Sequence, residues 1–285
     1  MKLSLVQNVA TPDSGENLSA TRNMVREAAS NGAEVVLLQE LFHTPYFCRE
    51  IDPSWFDEAN RIPGPLVDEL SAWAREEGVV LIAPLFEEAA PGLCYNSLVV
   101  IEKDGSLLGR YRKMHIPDDP GFYEKYYFRP GDEGYRVFDT SAGKIGTLIC
   151  WDQWFPEAAR LTAMKGADLL VYPTAIGRLS EETLTQEATY HDAWQTIQRS
   201  HAIANGCFVA AVNRVGQEGD LHFWGRSFVC GPMGQILAEA GTDPQVLHCE
   251  LDVASIRKQR QTWPFFRDRR TDSYGGMLHG WGGQL

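Results

Sequence analysis

The chain has 285 residues, with 26 Lys and Arg against 38 Asp and Glu, so its formal net charge is −12. Hydrophobic residues make up 44% and charged residues 22%, which are globular proportions. An acidic surface repels phosphates, so nucleic-acid binding is disfavoured. No apolar run reaches the roughly 18 residues of a membrane span, and MKLSLVQNVATPD lacks the apolar core of a signal peptide. The sequence therefore predicts a cytoplasmic protein without a membrane partner.

The chain contains six cysteines, and none of them forms a C-x-x-C pair with another. No H-E-x-x-H pattern accompanies them, so the spacing argues against a zinc site. A chain of this length does not need disulfides to hold its core, and we expect reduced thiols.

Four segments repeat one pattern, an amphipathic helix followed by a Gly and then a short apolar strand. The Gly in each case comes where a left-handed residue ends a helix. The strands are continuously apolar, which is typical of strands that are covered on both faces. The segments span residues 21–40, 67–88, 156–176 and 193–215.

A hairpin pattern follows the second and the fourth of these segments. NSLVVIEKDGSLLGRYRK has its turn at Asp104-Gly105, and GRSFVCGPMGQILAEA has Gly234 near its turn. The order helix–strand, helix–strand, hairpin thus occurs twice, offset by roughly the length of a typical domain. We predict a single domain over residues 1–285, built from two similar halves whose sheets pack together with helices outside. The alternative is a generic α/β chain in which this spacing is a coincidence.

Glu40 is the first candidate for chemistry, because it directly follows the apolar strand VVLLQ. A carboxylate at the end of a buried strand can lie in a pocket that raises its pKa, which suits a general base. The alternative is a helix cap or a surface charge.

Cys150 is the second candidate, at the end of the predicted strand IGTLIC, and Pro156 is predicted to be the first residue of the next helix. Free N–H groups and the helix dipole favour a thiolate at such a position. The alternative is a buried inert thiol. That alternative is our interpretation of Cys94, Cys207, Cys230 and Cys249.

Three motifs in the chain are similar to those of one known superfamily. LLQELF, YRKMHIP and GTLICWDQWFPEAAR resemble the Glu, Lys and Cys motifs of the nitrilase/carbon–nitrogen hydrolase superfamily, and the resemblance runs from KLSLVQ to FRDRRTDSY. It implies an α/β fold, a four-layer α-β-β-α sandwich with an internal pseudo-two-fold. It also implies that the chain forms a homo-oligomer.

The resemblance assigns a role to each motif residue. Glu40 corresponds to the general base, Lys113 to the electrophilic partner and Cys150 to the nucleophile. A second carboxylate, in the stretch YEKYYF, falls on Glu124 and is expected to orient Lys113.

Substrate-binding positions are also implied by the resemblance. Tyr46 in TPYFC and Trp151 correspond to positions that line the substrate pocket, and Asp118 follows the Lys motif closely. The stretch GRLSEETL after Ile176 departs from the expected pattern, in which an acidic residue comes sooner.

The implied reaction is the hydrolysis of a linear C–N bond through a thioester-type carbamoyl intermediate on Cys150, with no metal and no organic cofactor. A ureido amine is the expected substrate, and we favour N-carbamoylputrescine, which would place the chain in polyamine synthesis. No Arg follows Cys150 before Arg160, whereas an Arg would suit a substrate carboxylate. The alternatives are an N-carbamoyl amino acid, an ω-amide or a nitrile as substrate, or a catalytically silent subunit used for assembly.

Overall fold

The structure, a computed structural model, describes residues 1–279. The predicted domain extends to residue 285, so its end lies outside the described residues. The helices are α1 (Ser14–Ser30), α2 (Pro65–Glu77), α3 (Glu124–Tyr127), α4 (Pro156–Met164), α5 (Leu184–Asn205) and α6 (Ser255–Thr262). Within residues 1–279, no helix combines the length and the apolar character that crossing a membrane requires.

Fifteen strands are described. They are β1 (Lys2–Gln7), β2 (Val35–Leu38), β3 (Val80–Ala90), β4 (Leu93–Ile101), β5 (Leu107–Arg112), β6 (Arg136–Thr140), β7 (Gly143–Thr147), β8 (Leu169–Thr174), β9 (Gly177–Leu179), β10 (Phe208–Asn213), β11 (Val215–Glu218), β12 (Leu221–Trp224), β13 (Phe228–Cys230), β14 (Ile236–Glu239) and β15 (Gln245–Glu250).

The four helix–Gly–strand segments are all present. The glycine after each helix has a positive φ, as the sequence pattern predicts for a left-handed end: Gly32, Gly78, Gly166 and Gly206. Two helices, α1 and α5, begin seven or more residues before the predicted segments. The Asp13 side chain caps α1 at the N–H groups of Gly15 and Glu16, and Thr183 and Gln186 form a capping box at the start of α5.

Two six-stranded sheets repeat one topology. The first has the order β15-β1-β2-β3-β4-β5, and the second, read from its other edge, has the order β6-β7-β8-β10-β13-β14. In each sheet three central strands are parallel, β1, β2 and β3 in the first and β7, β8 and β10 in the second. The remaining strands are antiparallel to their neighbours. We call β1–β5 with their helices the first half, and β7–β14 with theirs the second half.

The two sheets pack face to face, with helices on both outer faces. Leu37 of β2 belongs to the same buried cluster as Val171 of β8, which forms the layer between the sheets. On the opposite face of β2, Val36 and Leu38 pack with Trp73 of α2. The continuously apolar strands are thus explained, because each strand has two covered faces. The fold is an α-β-β-α sandwich, as predicted.

A small third sheet, of order β11-β12-β9, does not appear in the predicted repeat. Its strands are only three or four residues long, and β9 follows β8 after two residues. Such short strands leave too little alternation to be recognised in a sequence. The small sheet matters for function because Gly177 and Leu179 of β9 and Trp224 of β12 line a cavity beside Cys150.

Candidate active site

Glu40 lies two residues beyond the end of β2, and its side chain is fully buried. One carboxylate oxygen, Oε1, accepts hydrogen bonds from Asn96 Nδ2 at 2.7 Å and from Lys113 Nζ at 2.8 Å. The other oxygen, Oε2, is buried and has no hydrogen-bond partner within residues 1–279. A buried acceptor without a partner destabilises the folded state, and such atoms are often functional. Oε2 is therefore the atom of Glu40 that is available to take a proton.

Lys113 directly follows β5, and its side chain is also fully buried. Its Nζ donates to Glu40 Oε1 at 2.8 Å and to Glu124 Oε2 at 2.6 Å. Burial alone would favour the neutral amine, but the Glu124 and Glu40 carboxylates outweigh it and hold the pKa of Lys113 well above its ordinary value. Lys113 is therefore an ammonium ion between two carboxyl groups.

Glu124 is the first residue of α3 and completes this cluster. Its Oε1 accepts a hydrogen bond from the Tyr46 hydroxyl at 2.8 Å, and its Oε2 accepts the bond from Lys113. Burial, to which the Glu40 charge adds, raises the pKa of Glu124 to about 7 despite the opposing Lys113 charge. Glu124 is therefore partly protonated near neutral pH.

Cys150 begins a 3₁₀ turn, Cys150–Trp154, and has a positive φ of 41°. Strand β7 already ends at Thr147, so the predicted strand end at Cys150 is wrong by three residues. Only 5% of Cys150 is exposed, and its Sγ lies 4.0 Å from the carbonyl oxygen of Ala175.

The protonation state of Cys150 differs from the sequence-based expectation. Helix α4 does begin at Pro156, as predicted, but Cys150 lies one short turn before that helix. Burial and then the Glu40 carboxylate raise the pKa of the Cys150 thiol well above its ordinary value, although Lys113 opposes them. A raised pKa favours the thiol over the thiolate expected from the sequence, and a thiol needs a base before it can act as a nucleophile.

A cavity of about 540 Å³ opens at Cys150 and Glu124. Trp151 lines it, and Phe122, Trp154 and Trp224 add further aromatic faces. Two more carboxylates, Asp119 and Glu182, line its walls, and no Lys, Arg or His does so in the described part of the chain. The cavity therefore combines aromatic faces with negative charge.

Two of the predicted substrate contacts are corrected by the structure. Asp118 is exposed and does not line the cavity, whereas the next residue, Asp119, does. Tyr46 is fully buried and also does not line the cavity. Its hydroxyl donates a hydrogen bond to Glu124 instead, so Tyr46 contacts the cluster and not the cavity.

Two residues of the site were missed by sequence reasoning. Asn96 lies in the middle of β4, where nothing in the local pattern distinguishes it from any buried polar residue. Asp152 is fully buried and accepts hydrogen bonds from Ile149 N–H at 3.0 Å, His115 N–H at 3.0 Å and Tyr111 OH at 2.7 Å. It joins the turn of Cys150 to the segment after Lys113. Its position two residues after Cys150 was the available signal.

No group of three or more His, Cys, Asp or Glu suited to a metal ion occurs within residues 1–279. The reactive groups that the structure brings together are a thiol, an ammonium and two carboxyl groups. A model of the carbon–nitrogen hydrolase family matches residues 2–261. The chain belongs to this family.

Characterised relatives match almost the whole chain. It is 43% identical to N-carbamoylputrescine amidase of Arabidopsis thaliana, over 97% of this chain and 94% of that protein. It is 41% identical to a citrullinase of Francisella tularensis, over 98% of both chains.

Solved structures agree with this assignment. A carbon–nitrogen hydrolase from Helicobacter pylori superposes with a TM-score of 0.96 at 45% identity, covering 98% of this chain and 99% of that one. A mutant amidase from Nesterenkonia sp. superposes with a TM-score of 0.76 at 28% identity, covering 95% and 94% of the two chains. In that structure the acetamide moiety of fluoroacetamide is covalently attached to the active-site cysteine. The protein is a Cys-dependent carbon–nitrogen hydrolase of the nitrilase superfamily.

Proposed function

We propose that the enzyme hydrolyses N-carbamoylputrescine to putrescine, ammonia and carbon dioxide, with Cys150 as nucleophile. The observation that carries the proposal is the charge of the cavity. The acidic side chains of Asp119 and Glu182 line it beside Glu124, which is paired with Lys113, and none of its described lining residues is cationic. A substrate with a ureido group at one end and an ammonium at the other fits this distribution.

In the first step, Glu40 Oε2 takes the proton of the Cys150 thiol while Sγ forms a bond to the carbamoyl carbon. Oε2 is free for this because Asn96 and Lys113 bind only Oε1. The carbonyl oxygen becomes an oxyanion, which the Lys113 ammonium and the Trp151 backbone N–H stabilise. One such donor typically contributes about 10²–10³-fold in rate.

In the second step the C–N bond breaks, and Glu40 returns the proton to the leaving nitrogen. The carbonyl carbon remains bonded to Sγ as a thioester-type intermediate. A water molecule then attacks this carbon while Glu40 accepts a proton from it. Glu40 passes this proton to Sγ as the C–S bond breaks, so Cys150 leaves as the thiol. The released carbamic acid loses carbon dioxide, which frees the second nitrogen as ammonia or an amine. Glu124, which accepts hydrogen bonds from Tyr46 and Lys113, orients the Lys113 ammonium in both steps.

The tail of the substrate is proposed to lie between carboxylates and aromatic rings. Glu182 is fixed by hydrogen bonds from Leu179 N–H at 2.6 Å and Tyr190 OH at 2.8 Å, so it presents a charge at a defined place. Trp151 and Trp224 offer ring faces, and a cation over such a face gains roughly 0.5–2 kcal/mol. In the stretch GRLSEETL, Glu182 would take the place of the acidic residue that the family pattern puts sooner after Ile176.

The test compares two ureido compounds of similar length. We expect kcat/KM for N-carbamoylputrescine to exceed that for N-carbamoyl-β-alanine at least about tenfold, because about 1.4 kcal/mol corresponds to a factor of ten. Equal values, or a preference for the acid, would overturn the proposed substrate and leave the chemistry intact. A protein that releases ammonia from no ureido compound, amide or nitrile would instead be a silent subunit.

Citrulline is the second candidate substrate, because a citrullinase matches the chain at 41% identity. Citrulline carries an ammonium and also a carboxylate. The described walls of the cavity hold no cation to pair with that carboxylate, so we expect a lower kcat/KM for citrulline than for N-carbamoylputrescine. The reverse order would identify citrulline as the better substrate.

We also propose that the enzyme is a homo-oligomer and acts in the cytoplasm as a single domain. Leu161 and Met164 of α4 and Ile203 of α5 are 45%, 49% and 37% exposed, on the outer layer of the second half. Exposed apolar side chains on these two outer helices suit contact with a second copy. All six cysteines are free, which suits a reducing compartment. Light scattering on the purified protein tests the first point.

A further inference from the structure

Arg214 is a charged residue that reaches neither solvent nor the cavity. It directly follows β10, in the second half, and its side chain is fully buried. Burying a guanidinium is costly unless its N–H groups are paired. Its partners therefore indicate what the charge is for.

The Arg214 guanidinium binds the loop that carries Glu40. Its Nη2 donates to three backbone carbonyl oxygens of this loop, at distances of 2.9–3.1 Å from those of Glu40, Leu41 and Thr44. These contacts cross from the second half of the fold to the first. Three main-chain positions of this loop, at residues 40, 41 and 44, are thus bound by one side chain.

The counter-ion of Arg214 extends the network to the second carboxyl group of the site. Nη1 donates to Glu218 Oε1 at 2.6 Å, and Glu218 Oε2 accepts the Tyr46 backbone N–H at 2.6 Å. Tyr46 in turn holds Glu124 through its hydroxyl. The pair Arg214–Glu218 therefore contacts the supports of both carboxyl groups that flank Lys113.

The loop needs such support because its backbone is strained. Leu41 has a φ of 50°, a conformation that is unfavourable for a residue with a branched side chain. Such a residue persists only where the surrounding structure fixes it. The carbonyl of Leu41 is one of the three that Arg214 binds, at 2.9 Å.

We propose that Arg214 and Glu218 are positioning residues for catalysis. They keep the carboxyl groups of Glu40 and Glu124 in position relative to Lys113 and Cys150. The proposal rests on the proposed roles of those four residues. Neither Arg214 nor Glu218 lines the cavity, so they act on the transition state through the carboxyl groups and not on substrate binding.

The main test is Arg214→Lys, which keeps the charge but replaces a planar fork with a single ammonium. We expect kcat to fall about 10²-fold, the loss that a shift of about 1 Å in a catalytic group can cause. KM should change less than about threefold, because neither Arg214 nor any of the three residues whose carbonyls it binds lines the cavity. Circular dichroism and a thermal melt report the fold.

Arg260→Lys is the matched control. Arg260 also donates to three carbonyls, of Asn205, Gly206 and Ala167, but these precede β10 and β8 at the opposite ends of the strands. We expect this variant to lose stability with kcat unchanged. If Arg214→Lys and Arg260→Lys had equal kcat per folded molecule, Arg214 would be an ordinary structural residue and the proposal would be overturned.

Glu218→Gln decides the question if Arg214→Lys does not fold. An amide oxygen still accepts from Arg214 or from Tyr46, so we expect a milder loss, about tenfold in kcat. A folded Glu218→Gln enzyme with the wild-type kcat would overturn the proposal. All variants are assayed on whichever amide or ureido compound the wild type hydrolyses, so failure of the N-carbamoylputrescine assignment is seen in the wild type alone.

Discussion

The two halves of the molecule have matching topologies but hold different residues at matching strand ends. Glu40 lies two residues beyond β2, whereas the residue two beyond β8, the matching strand of the second half, is Ile176. Cys150 lies just beyond β7, whereas β1 is followed by Asn8. Lys113 follows β5, and β14 is followed by Ala240.

The two halves share the strand order of their sheets, but they do not share the reactive residues at the strand ends. Ala175 and Ile176 have become part of the cavity wall, with the Ala175 carbonyl 4.0 Å from Cys150 Sγ. The residue after β10, Arg214, supports the Glu40 loop of the other half. The chain up to α3 provides the proposed base Glu40 together with Lys113 and Glu124. The second half provides the proposed nucleophile Cys150 and Arg214, which binds the Glu40 loop.

The largest expected effect comes from removing the nucleophile. Cys150→Ala should abolish turnover and leave the fold intact, because Ala fits a buried turn. Cys207→Ala, at a buried thiol just before β10 in the same half, is the control and should keep the wild-type kcat. Intact-mass analysis of the wild type mixed with substrate should show an adduct on Cys150. Normal turnover by Cys150→Ala would rule out its assignment as the nucleophile.

Replacing the proposed base tests the contribution of the first half. Glu40→Gln keeps the shape but cannot accept the thiol proton, so kcat should fall at least about 10²–10⁴-fold. Glu87→Gln is the matched buried carboxylate, since Glu87 of β3 is fully buried and paired with Arg112 outside the cluster. We expect Glu87→Gln to be destabilised but to keep its kcat per folded molecule. Comparable losses in the two variants would remove the special role of Glu40.

Glu124 should give the enzyme an acidic limb in its pH profile. Its pKa is raised to about 7, so as the pH falls through this value it protonates and its bond to the Lys113 ammonium loses its charge. We expect kcat/KM to decline below about pH 7. Glu124→Gln should have a lower kcat/KM at every pH and should lack this acidic limb. A wild-type pH profile in the variant would show that Glu124 has only a structural role.

The same pKa has a consequence for stability. The folded value, about 7, lies above the ordinary value of 4.5, so the protonated carboxyl is the form that the fold favours. Its stabilising contribution is complete below the ordinary pKa and is lost as the pH rises through the folded pKa. Glu124→Gln should therefore show a smaller decline in Tm than the wild type between pH 5 and about pH 8.

The sequence predicted the layers of the fold because they rest on local signals. A helix that ends at Gly and is followed by an apolar strand is visible in each segment, for instance at Gly78 and Gly206, and both have left-handed conformations. The starts of α1 and α5 were placed too late, although Asp13 and Thr183 were available as caps. The small third sheet has strands too short to show a period.

The site was less accessible from the sequence because its supports are long-range. Glu40, Lys113, Glu124 and Cys150 could be named from motifs, and the structure brings them together. Asn96, Arg214 and Glu218 could not, because their partners lie far along the chain, up to 174 residues away for Arg214 and Glu40. The Cys150 protonation state was also missed, since burial and a facing carboxylate are tertiary properties.

The smallest expected effect concerns the tail of the substrate, where the second half contributes a carboxylate. Glu182 lines the cavity, whereas its neighbour Glu181 is exposed and lies on a separate surface depression beside Asp220. Glu182→Gln should lower kcat/KM for N-carbamoylputrescine about two- to fivefold, because one partly exposed ion pair contributes up to about 1 kcal/mol. It should leave kcat/KM for butylurea, which has no charged tail, unchanged. Glu181→Gln should alter neither. If Glu182→Gln lowered kcat/KM equally for both substrates, Glu182 would shape the cavity without binding the charged tail. Asp119 would then be the next carboxylate to replace.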